Sequence, residues 1–357
     1  MKNNRDTIVS VFIPYWPANP YQEELAKSLE SHGVKVEKGD SLKSVFRDII
    51  FRRYRPDILH LHWLPWFEWR ITSFLRLSLF VLRLFVVHFL GIKLVWTVHN
   101  LRPHESKCPK VDWLVRVFIT RLTSALITHT KWAKQEVVST WRLRNGQKVL
   151  IIPHGNYIDC YENKFNRATA QKQLCIFNSK LVILFLGEIR PYKGVLQLID
   201  TFKLLGQERT HLVIAGRSLN DEITSAIRKK IQGCNNIKFA PGFVADDQIQ
   251  VFMNASDIVV FPYRTILTSG AVILAMSFGR PCIAPRIGCI SDILDEAGSF
   301  LYDSEDDEGL LKAMNLAILR KNDLEVMGKY NFEMARQCDW NKIGQMTAKT
   351  YAQCLRS

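Results

Sequence analysis

Short, continuously apolar runs alternate with longer stretches of helical pattern along almost the whole chain of 357 residues. The runs are rich in Val and Ile, which is typical of strands buried on both faces of a parallel sheet. Helices between successive strands return the chain to the same sheet edge, so the pattern predicts an α/β fold. The predicted strands are Thr7–Ile13, Ile58–His62, Lys93–Thr97, Ala125–Thr128, Val149–Ile152, Val182–Leu186, His211–Ala215, Ile237–Ala240, Ile258–Phe261 and Pro281–Ala284.

This alternation breaks once, around residues 159–179, where the polar sequence YENKFNRATAQKQ separates two α/β series. We place a domain junction there and predict two Rossmann-like, doubly wound domains that face each other across a cleft. Ligands of open parallel sheets bind at the carboxyl ends of the strands. The loops that directly follow the strands are therefore expected to carry the function.

Basic residues are concentrated in the first half of the chain. Residues 1–160 contain 24 Lys and Arg against 13 Asp and Glu, a net +11, and the remainder contains 24 against 21, a net +3, which together give +14. A basic half suits nucleic acid, an anionic membrane or a phosphorylated substrate, and solubility alone is the simpler alternative. We expect no nucleic-acid partner, because the arginines are interleaved with Leu and Phe and do not form polar basic runs.

Composition and missing motifs exclude several protein classes. A content of 47% hydrophobic and 23% charged residues is globular, which excludes disordered and collagen-like chains. The eight cysteines show no CxxC pair or zinc-ligand spacing, so we expect buried free thiols in a reducing compartment. The N-terminal sequence lacks a signal-peptide pattern, which favours the cytoplasm. Absence of GxGxxG, GxxxxGK[ST] and GxSxG motifs argues against dehydrogenases, P-loop NTPases and α/β-hydrolases.

The stretch Ile71–Ile92 is about long enough to span a bilayer but contains Arg76, Arg83 and His88. Each arginine in the middle of a span costs roughly 2.5–3.5 kcal/mol on insertion scales. The two arginines are seven residues apart, so they share nearly the same helical face. An apolar helix with a cationic stripe favours contact with an anionic membrane surface over a true span. A core helix with a solvated stripe is the alternative.

Two loops in the second half have the features of anion sites. The first, Gly187–Gly194, follows a predicted strand, contains Arg190 and Lys193, and precedes a helical pattern. Helix amino termini offer N–H groups and a positive dipole end, and Arg can grip a phosphate with two hydrogen bonds. The alternative is a solvated turn.

The second anion loop is the sequence FPYRTILTSGA, which follows the strand that ends at Phe261. Thr268 and Ser269 are natural helix N-cap residues, and Gly270 lets a ligand approach the backbone closely. An ordinary capped helix is the alternative. Two such loops in one α/β domain favour a ligand that contains a diphosphate.

The first half gathers His and Trp residues near strand ends. His60 and His62 alternate along a strand and are expected to point to opposite faces, and Trp63, Trp66 and Trp69 follow them. The sequence HNLRPHE then supplies a loop whose spacing fits no standard metal site, so we expect no metal there. A binding or catalytic loop with an acid–base residue, or a structural histidine, explains the pattern better. The candidates on that loop are His99, His104 and Glu105.

In these respects the chain resembles the GT-B glycosyltransferases, especially the family 4 (glycosyltransferase group 1) enzymes of bacterial exopolysaccharide and lipid-linked glycan synthesis. The motifs that carry the resemblance span nearly the whole chain: NPYQEELAKSLESHGV, PDILHLHW, TVHNLRPHE, IIPHGN, LGEIRPYKG, GFVADDQIQVFMNASDIVVFPY and LTSGAVILAMSFGRPCIAP. The resemblance implies an acceptor-binding domain over 1–160 and a nucleotide-sugar-binding domain over 161–338. It also implies a final segment, 339–357, whose helix crosses back to the first domain.

The resemblance further implies roles for individual residues. The donor diphosphate would contact Arg190, Lys193, Thr268, Ser269, Gly270 and Ala271. The donor cleft would be lined by Gly187, Gly216, Arg217, Tyr263 and Arg264. Catalysis would rest on His99 and Glu105, and the acceptor side would be formed by Asn19, Tyr21, His62, Trp63 and His104. Transfer would need no cofactor and no obligatory metal, and the protein would be peripheral on the inner face of the plasma membrane.

The chain departs from the family pattern at the two positions that usually carry a Glu-x7-Glu pair, which are Ile266 and Leu274 here. The arginine that usually follows the glycine of the donor loop is replaced by Glu188, and Arg190 is the expected substitute. We expect a working, divergent glycosyltransferase that uses a UDP- or GDP-sugar. A catalytically silent nucleotide-sugar- or glycan-binding scaffold is the alternative.

Overall fold

A computed structural model of the chain describes residues 7–17, 19–51, 53–65, 71–101, 108–144, 148–177, 179–206 and 210–356. The chain divides into two compact units. The N-terminal unit contains Met1–Gly155 and Asp339–Ser357, and the C-terminal unit contains Asn156–Cys338. The first boundary thus lies after Gly155, where the sequence suggested residue 160.

The N-terminal unit is built on a six-stranded, entirely parallel sheet with the order β2-β1-β3-β4-β5-β6. Its strands are β1 (Ile8–Ile13), β2 (Val34–Lys38), β3 (Ile58–Leu61), β4 (Lys93–Thr97), β5 (Ala125–Thr128) and β6 (Val149–Ile151). Its helices are α1 (Pro20–Ser31), α2 (Leu42–Ile50), α3 (Ile71–Phe89), α4 (Pro109–Leu122) and α5 (Lys131–Thr140), together with the last helix, α14 (Trp340–Arg356).

The C-terminal unit repeats the plan, with a parallel sheet in the order β12-β11-β10-β7-β8-β9. Its strands are β7 (Leu181–Leu186), β8 (Thr210–Gly216), β9 (Ile237–Pro241), β10 (Ile258–Val260), β11 (Cys282–Pro285) and β12 (Ser299–Tyr302). Its helices are α6 (Arg167–Gln173), α7 (Val195–Leu204), α8 (Asp221–Ile231), α9 (Asp246–Ala255), α10 (Gly270–Ser277), α11 (Ile290–Ile293), α12 (Gly309–Leu319) and α13 (Leu324–Arg336).

The predicted fold class is confirmed, because both sheets are parallel and helices alternate with their strands. All ten predicted strands form, each within one residue of its predicted ends. The apolar runs are buried as expected: every residue of β7 lies in the core of the C-terminal unit. The two strands that the pattern missed, β2 and β12, are both outermost in their sheets.

The last helix, α14, packs within the N-terminal unit against α1. Gly344 permits this close approach, because a methyl group there would clash with Ser28. The Ser28 hydroxyl also donates a hydrogen bond to the carbonyl of Trp340. The end of the chain is therefore part of the same packed unit as its beginning.

The cysteines only partly fit the expectation of buried thiols. All eight are free, but only Cys282, Cys289 and Cys354 are buried. Cys175 is exposed and the other four are partly buried. The prediction was wrong for these five because most lie in turns or at helix ends and not in strands.

Candidate functional site

Three loops meet at the carboxyl edge of the C-terminal sheet, after β7, β8 and β10. The backbone N–H of Ile189 donates a hydrogen bond to the backbone carbonyl of Arg217, and the N–H of Arg264 donates to the backbone carbonyl of Tyr192. Two glycines of these loops have positive φ angles, 69° at Gly194 and 145° at Gly216. A methyl group on Gly194 would clash with the carbonyl oxygen of Pro262, and one on Gly216 would clash with the carbonyl oxygen of Gly187. These glycines are therefore what allows the loops to touch, and the candidate donor loop Gly187–Gly194 is held by its neighbours.

Lys193 is the central cation of this edge. It ends the 3-10 turn Pro191–Lys193, directly before α7. Its ammonium lies 5.8 Å from the ring centroid of Tyr263, which is buried. Burial lowers the pKa of Lys193 to about 8, and the charge of Glu188 only partly offsets that effect. A poorly hydrated ammonium of this kind gains strongly from an anionic ligand.

Helix α10 presents its amino terminus at the same edge, as the sequence predicted. Ser269 is the N-cap, and its hydroxyl accepts a hydrogen bond from the N–H of Val272 at 3.3 Å. The N–H groups of Gly270 and Ala271 precede the first intrahelical hydrogen bond, so they are available to an anion. Thr268 comes just before the cap and is partly buried. The structure thus brings the two predicted anion loops together.

The guanidinium of Arg190 is already engaged by a carboxylate of its own loop. Its guanidinium contacts the carboxylate of Glu188 at 3.1 Å, and Arg217 contacts the other oxygen of the same carboxylate at 3.0 Å. Glu188 therefore bridges two predicted donor-site arginines. An anion that bound at this loop would have to compete with this internal carboxylate.

A cavity of about 640 Å³ opens next to these loops, at the ends of β8 and β9. It is lined by Arg217–Glu222, Thr224, Pro241 and Gly242. A second cavity, of about 580 Å³, lies near Asp257 and Pro281, at the opposite, amino ends of β10 and β11. Only the first is on the ligand-binding edge expected for a parallel sheet.

A row of histidines marks the corresponding edge of the N-terminal sheet. One histidine follows each of four successive strands: His62 after β3, His99 after β4, His129 after β5 and His154 after β6. Tyr21, from the first turn of α1, packs against all four, with ring-centroid distances of 4.8–6.0 Å. Tyr21, His62 and His99 are site residues predicted from the sequence, and His154 lies in the loop His154–Asn156, one of the loops after strands that were expected to carry function, without a role of its own. His129 was missed. The recurrence of His directly after strands was the signal available.

The histidine row is held in its neutral form. Burial lowers the pKa of His129 to about 4 and that of His154 to about 3. Burial also holds the pKa values of His62 and His99 well below their usual range, and neighbouring histidines push them further in the same direction. The Nδ1–H of His129 donates to the carbonyl of Ile152 at 2.9 Å, which fixes its tautomer.

His60 and His62 share one face of β3, so the prediction of opposite faces was wrong. Their ring centroids are 4.3 Å apart, because residues two apart in a strand point the same way. His60 is fully buried beneath the row. Its Nδ1 lies 2.6 Å from the Tyr351 hydroxyl and its Nε2 lies 2.8 Å from the Thr97 hydroxyl.

Of the remaining predicted residues of the N-terminal unit, the structure describes Asn19 and Trp63 but not His104 and Glu105. Asn19 is the N-cap of α1, and its side chain accepts from the N–H of Tyr21 at 3.0 Å. Trp63 stacks on His99 with ring centroids 4.8 Å apart. His104 and Glu105 lie outside the described residues, as do Trp66 and Trp69. Among the side chains that the structure does describe, no group of three or more His, Cys, Asp or Glu is placed to hold a metal ion.

Comparisons with known proteins agree with this arrangement. Residues 180–319 match the family model of glycosyl transferases group 1. The chain is 27% identical over 346 residues to a GDP-mannose:glycolipid 4-beta-D-mannosyltransferase of Xanthomonas campestris pv. campestris, covering 94% of this chain and 89% of that protein.

Solved structures resemble the whole chain. The sucrose-phosphate synthase of Thermosynechococcus elongatus aligns with a TM-score of 0.75 at 15% identity, over 97% of this chain and 98% of that one. Anabaena HepE in complex with UDP-glucose aligns with a TM-score of 0.74 at 17% identity, and the alignment covers 97% of this chain and 100% of that one. These likenesses support the GT-B fold. The chain therefore has a GT-B fold, and its residues 180–319 match the family model of the glycosyl transferases group 1.

Proposed function

We propose that this protein transfers a sugar from a UDP- or GDP-linked donor to a hydroxyl group of a glycolipid or polysaccharide acceptor. The observation that carries the proposal is that Lys193 and the amino terminus of α10 lie at the same edge of one sheet, within the region that matches the family model. The likeness to a mannosyltransferase named for a GDP-mannose donor and a glycolipid acceptor supports these substrate classes.

In the proposed reaction the leaving group is a nucleoside diphosphate. Lys193, Arg190 and the N–H groups of Gly270 and Ala271 would stabilise the negative charge that develops on it. The cavity beside Arg217 is the place we assign to the nucleoside, because it adjoins the same loops. With cations and a helix amino terminus in this role, we propose that transfer needs no obligatory metal, so activity should persist in EDTA.

We assign the acceptor to the histidine row and Tyr21. Neutral imidazoles and aromatic rings suit a sugar, because they offer hydrogen bonds and flat apolar faces without a charge to desolvate. His99 is our candidate acid–base residue, since its lowered pKa keeps it in the proton-accepting form at neutral pH. Glu105 stays a candidate from the sequence alone.

We also propose that α3 rests on an anionic membrane at the cytoplasmic side. Thr72–Phe89 is long and apolar enough to cross a membrane, yet only 17% of it is buried. One side, with Leu77, Leu84 and Val87, packs inward. The opposite side is exposed and apolar, through Phe74, Leu75, Leu79, Leu82, Phe85 and Phe89. At 3.6 residues per turn, Arg76 and Arg83 lie about 100–120° from Leu82, which suits the headgroup level.

Release of nucleoside diphosphate tests the proposed function. The full-length protein is incubated with GDP-mannose or UDP-glucose, with and without a glycolipid extract of bacterial membranes. Release that depends on the extract supports transfer. The scaffold alternative, which the Ile266 and Leu274 departures favour, predicts donor binding without release. Absence of both binding and release for every nucleotide sugar would overturn the proposal.

A further inference from the structure

The side chains beneath the histidine row form a second layer on the same sheet face. β3 and β4 pair in parallel with His60 opposite Val95, so His60 and Thr97 are diagonal neighbours. His62 and His99 are each two residues further along and make the next diagonal, with Nδ1 of His62 3.5 Å from Nε2 of His99. Because side chains two apart share a face, the His60–Thr97 layer directly supports the His62–His99 layer.

The lower layer is completed by the far end of the chain. Tyr351, on α14, is fully buried, and its hydroxyl reaches Nδ1 of His60 across 291 residues of sequence. A neutral histidine has one N–H and one lone pair. His60 therefore accepts from one hydroxyl and donates to the other, and both of its nitrogens are satisfied.

Removing the Tyr351 hydroxyl would leave one buried nitrogen of His60 without a partner. An unpaired buried polar atom is unfavourable, so the ring would be expected to turn or shift. Its ring is 4.3 Å from that of His62, and the His62 ring is 5.8 Å from that of His99. A displacement of the His60 ring would therefore displace the rings of His62 and His99 in the candidate acceptor site.

We propose that Tyr351 is a positioning residue for the acceptor site, which acts through His60 and Thr97 to hold His62 and His99 in register. This inference rests on the proposed function, because it assigns the acceptor to the histidine row. It gives α14 a role in the transfer step in addition to its packing against α1. It also predicts that the effect of Tyr351 is confined to the acceptor.

Kinetics of the full-length Tyr351→Phe variant test this role. With GDP-mannose or UDP-glucose, whichever the wild type uses, and a bacterial glycolipid extract, we expect kcat to fall about tenfold and the apparent acceptor KM to rise. The donor KM should stay within twofold. The control is Thr350→Val in the same helix, whose hydroxyl donates to the helix carbonyl of Met346. It should leave all three constants unchanged.

A double-mutant comparison separates positioning from general destabilisation. Thr97→Val removes the other partner of His60 and also the hydroxyl that bonds to Tyr21, so its kcat should fall at least as far as that of Tyr351→Phe. The double variant should then lose no more in kcat than Thr97→Val alone, and not a further tenfold, because the Tyr351 change acts through a ring that Thr97→Val has already released. A purely structural role predicts lower melting temperatures with unchanged kcat and KM, and that result would overturn the proposal.

A second measurement keeps the test independent of the proposed activity. In protein labelled with ¹⁵N-histidine, the ring nitrogen signals of His62 and His99 should move in Tyr351→Phe and stay in place in Thr350→Val. If the wild type transfers no sugar but these signals move, the proposed function fails and the positioning role stands. Unmoved His62 and His99 signals in Tyr351→Phe would refute the positioning role.

Discussion

At the scale of single residues, an internal carboxylate competes with any bound anion for the arginines of the candidate donor loop. Glu188 occupies the place directly after Gly187 and engages both Arg190 and Arg217. The carboxylate neutralises two arginines that the resemblance assigns to the donor site. Exposed ion pairs contribute about 0.2–1 kcal/mol each, so an arriving diphosphate can displace them.

Glu188→Gln should therefore bind nucleoside diphosphates more tightly. The neutral amide releases the two arginines, and we expect the Kd for UDP or GDP to fall about threefold to tenfold. Titration calorimetry of the full-length variant measures this directly. Glu325→Gln serves as the control, because Glu325 pairs with Lys329 on the exposed face of α13. Weaker binding by Glu188→Gln would mean that the carboxylate contacts the donor itself.

We expect the proposed donor binding to depend on pH through Lys193. Burial lowers its pKa to about 8, and a bound phosphate would raise it. Affinity for nucleoside diphosphate should therefore be constant between about pH 7 and 7.5, above the second ionisation of the phosphate, and should fall as the pH rises through 8 to 9.5. Lys193→Arg keeps its charge in this range and should bind with a flat pH profile. Identical profiles for the two proteins would contradict the assignment of Lys193.

At the scale of elements, the sequence predicted what local pattern controls and missed what long-range packing controls. Central strands are continuous apolar runs, so their limits were found within one residue. β2 and β12 escaped because each is outermost in its sheet, and β2 (VKVEK) alternates apolar with charged residues.

The candidate site shows the same division. The two anion loops were predictable, because a strand, a glycine-bounded loop and a capped helix are contiguous in sequence. The histidine row was found only in part, since its members come from four strands that meet only in the folded sheet. Tyr351 was out of reach of local patterns, because it joins His60 from the other end of the chain.

Helix α3 gives a prediction at this scale, made with full-length protein and liposomes. The wild type should float with vesicles that contain phosphatidylglycerol and less with pure phosphatidylcholine, because Arg76 and Arg83 add charge attraction to apolar insertion. Leu79→Glu with Leu82→Glu should abolish flotation on both. Arg76→Ser with Arg83→Ser should remove only the preference for anionic lipid.

The control for flotation is Leu319→Glu, an exposed apolar residue at the end of α12 in the C-terminal unit. It should float like the wild type. Equal and negligible flotation of the wild type on both kinds of vesicle would contradict the proposed membrane contact of α3. Resistance of the membrane-bound protein to carbonate washing would indicate a true span.

At the scale of the whole molecule, the two units differ in charge and in the residues they use. The N-terminal unit has 27 Lys and Arg against 13 Asp and Glu, a net +14 that includes the arginines of α3. The C-terminal unit has 21 of each and no net charge, and its proposed functional cations lie in one loop. Eight of nine histidines and all nine tryptophans belong to the N-terminal unit. Tryptophan fluorescence therefore reports on that unit alone.

Acid should destabilise the N-terminal unit selectively. Its buried histidines have pKa values lowered to about 3 for His60 and His154 and about 4 for His129, against about 6.5 in an unfolded chain. Each histidine therefore stabilises the folded state fully above about pH 6.5, where the unfolded chain also keeps it neutral. As the pH falls from 7 to 5, each lowers the free energy of unfolding by about 2 kcal/mol, because the unfolded chain binds a proton that the folded chain does not.

Denaturant unfolding followed by tryptophan fluorescence at pH 7 and pH 5 measures this loss. His129→Gln should shrink the difference between the two pH values, because one titrating group is removed. His88→Gln should not, since His88 is exposed on α3. An unfolding midpoint that is the same at both pH values would show that the histidines are not held neutral.

We propose above all that the loop after β7 and the amino terminus of α10 bind the diphosphate of a nucleotide-sugar donor. The most direct test is calorimetric titration of UDP and GDP into the wild type and into the Arg190→Ala, Lys193→Ala double variant, with exposed Lys329→Ala as the control. We predict that the wild type and the control bind one of the nucleotides and that the double variant shows no measurable binding. Unchanged nucleotide affinity in the double variant would contradict the claim.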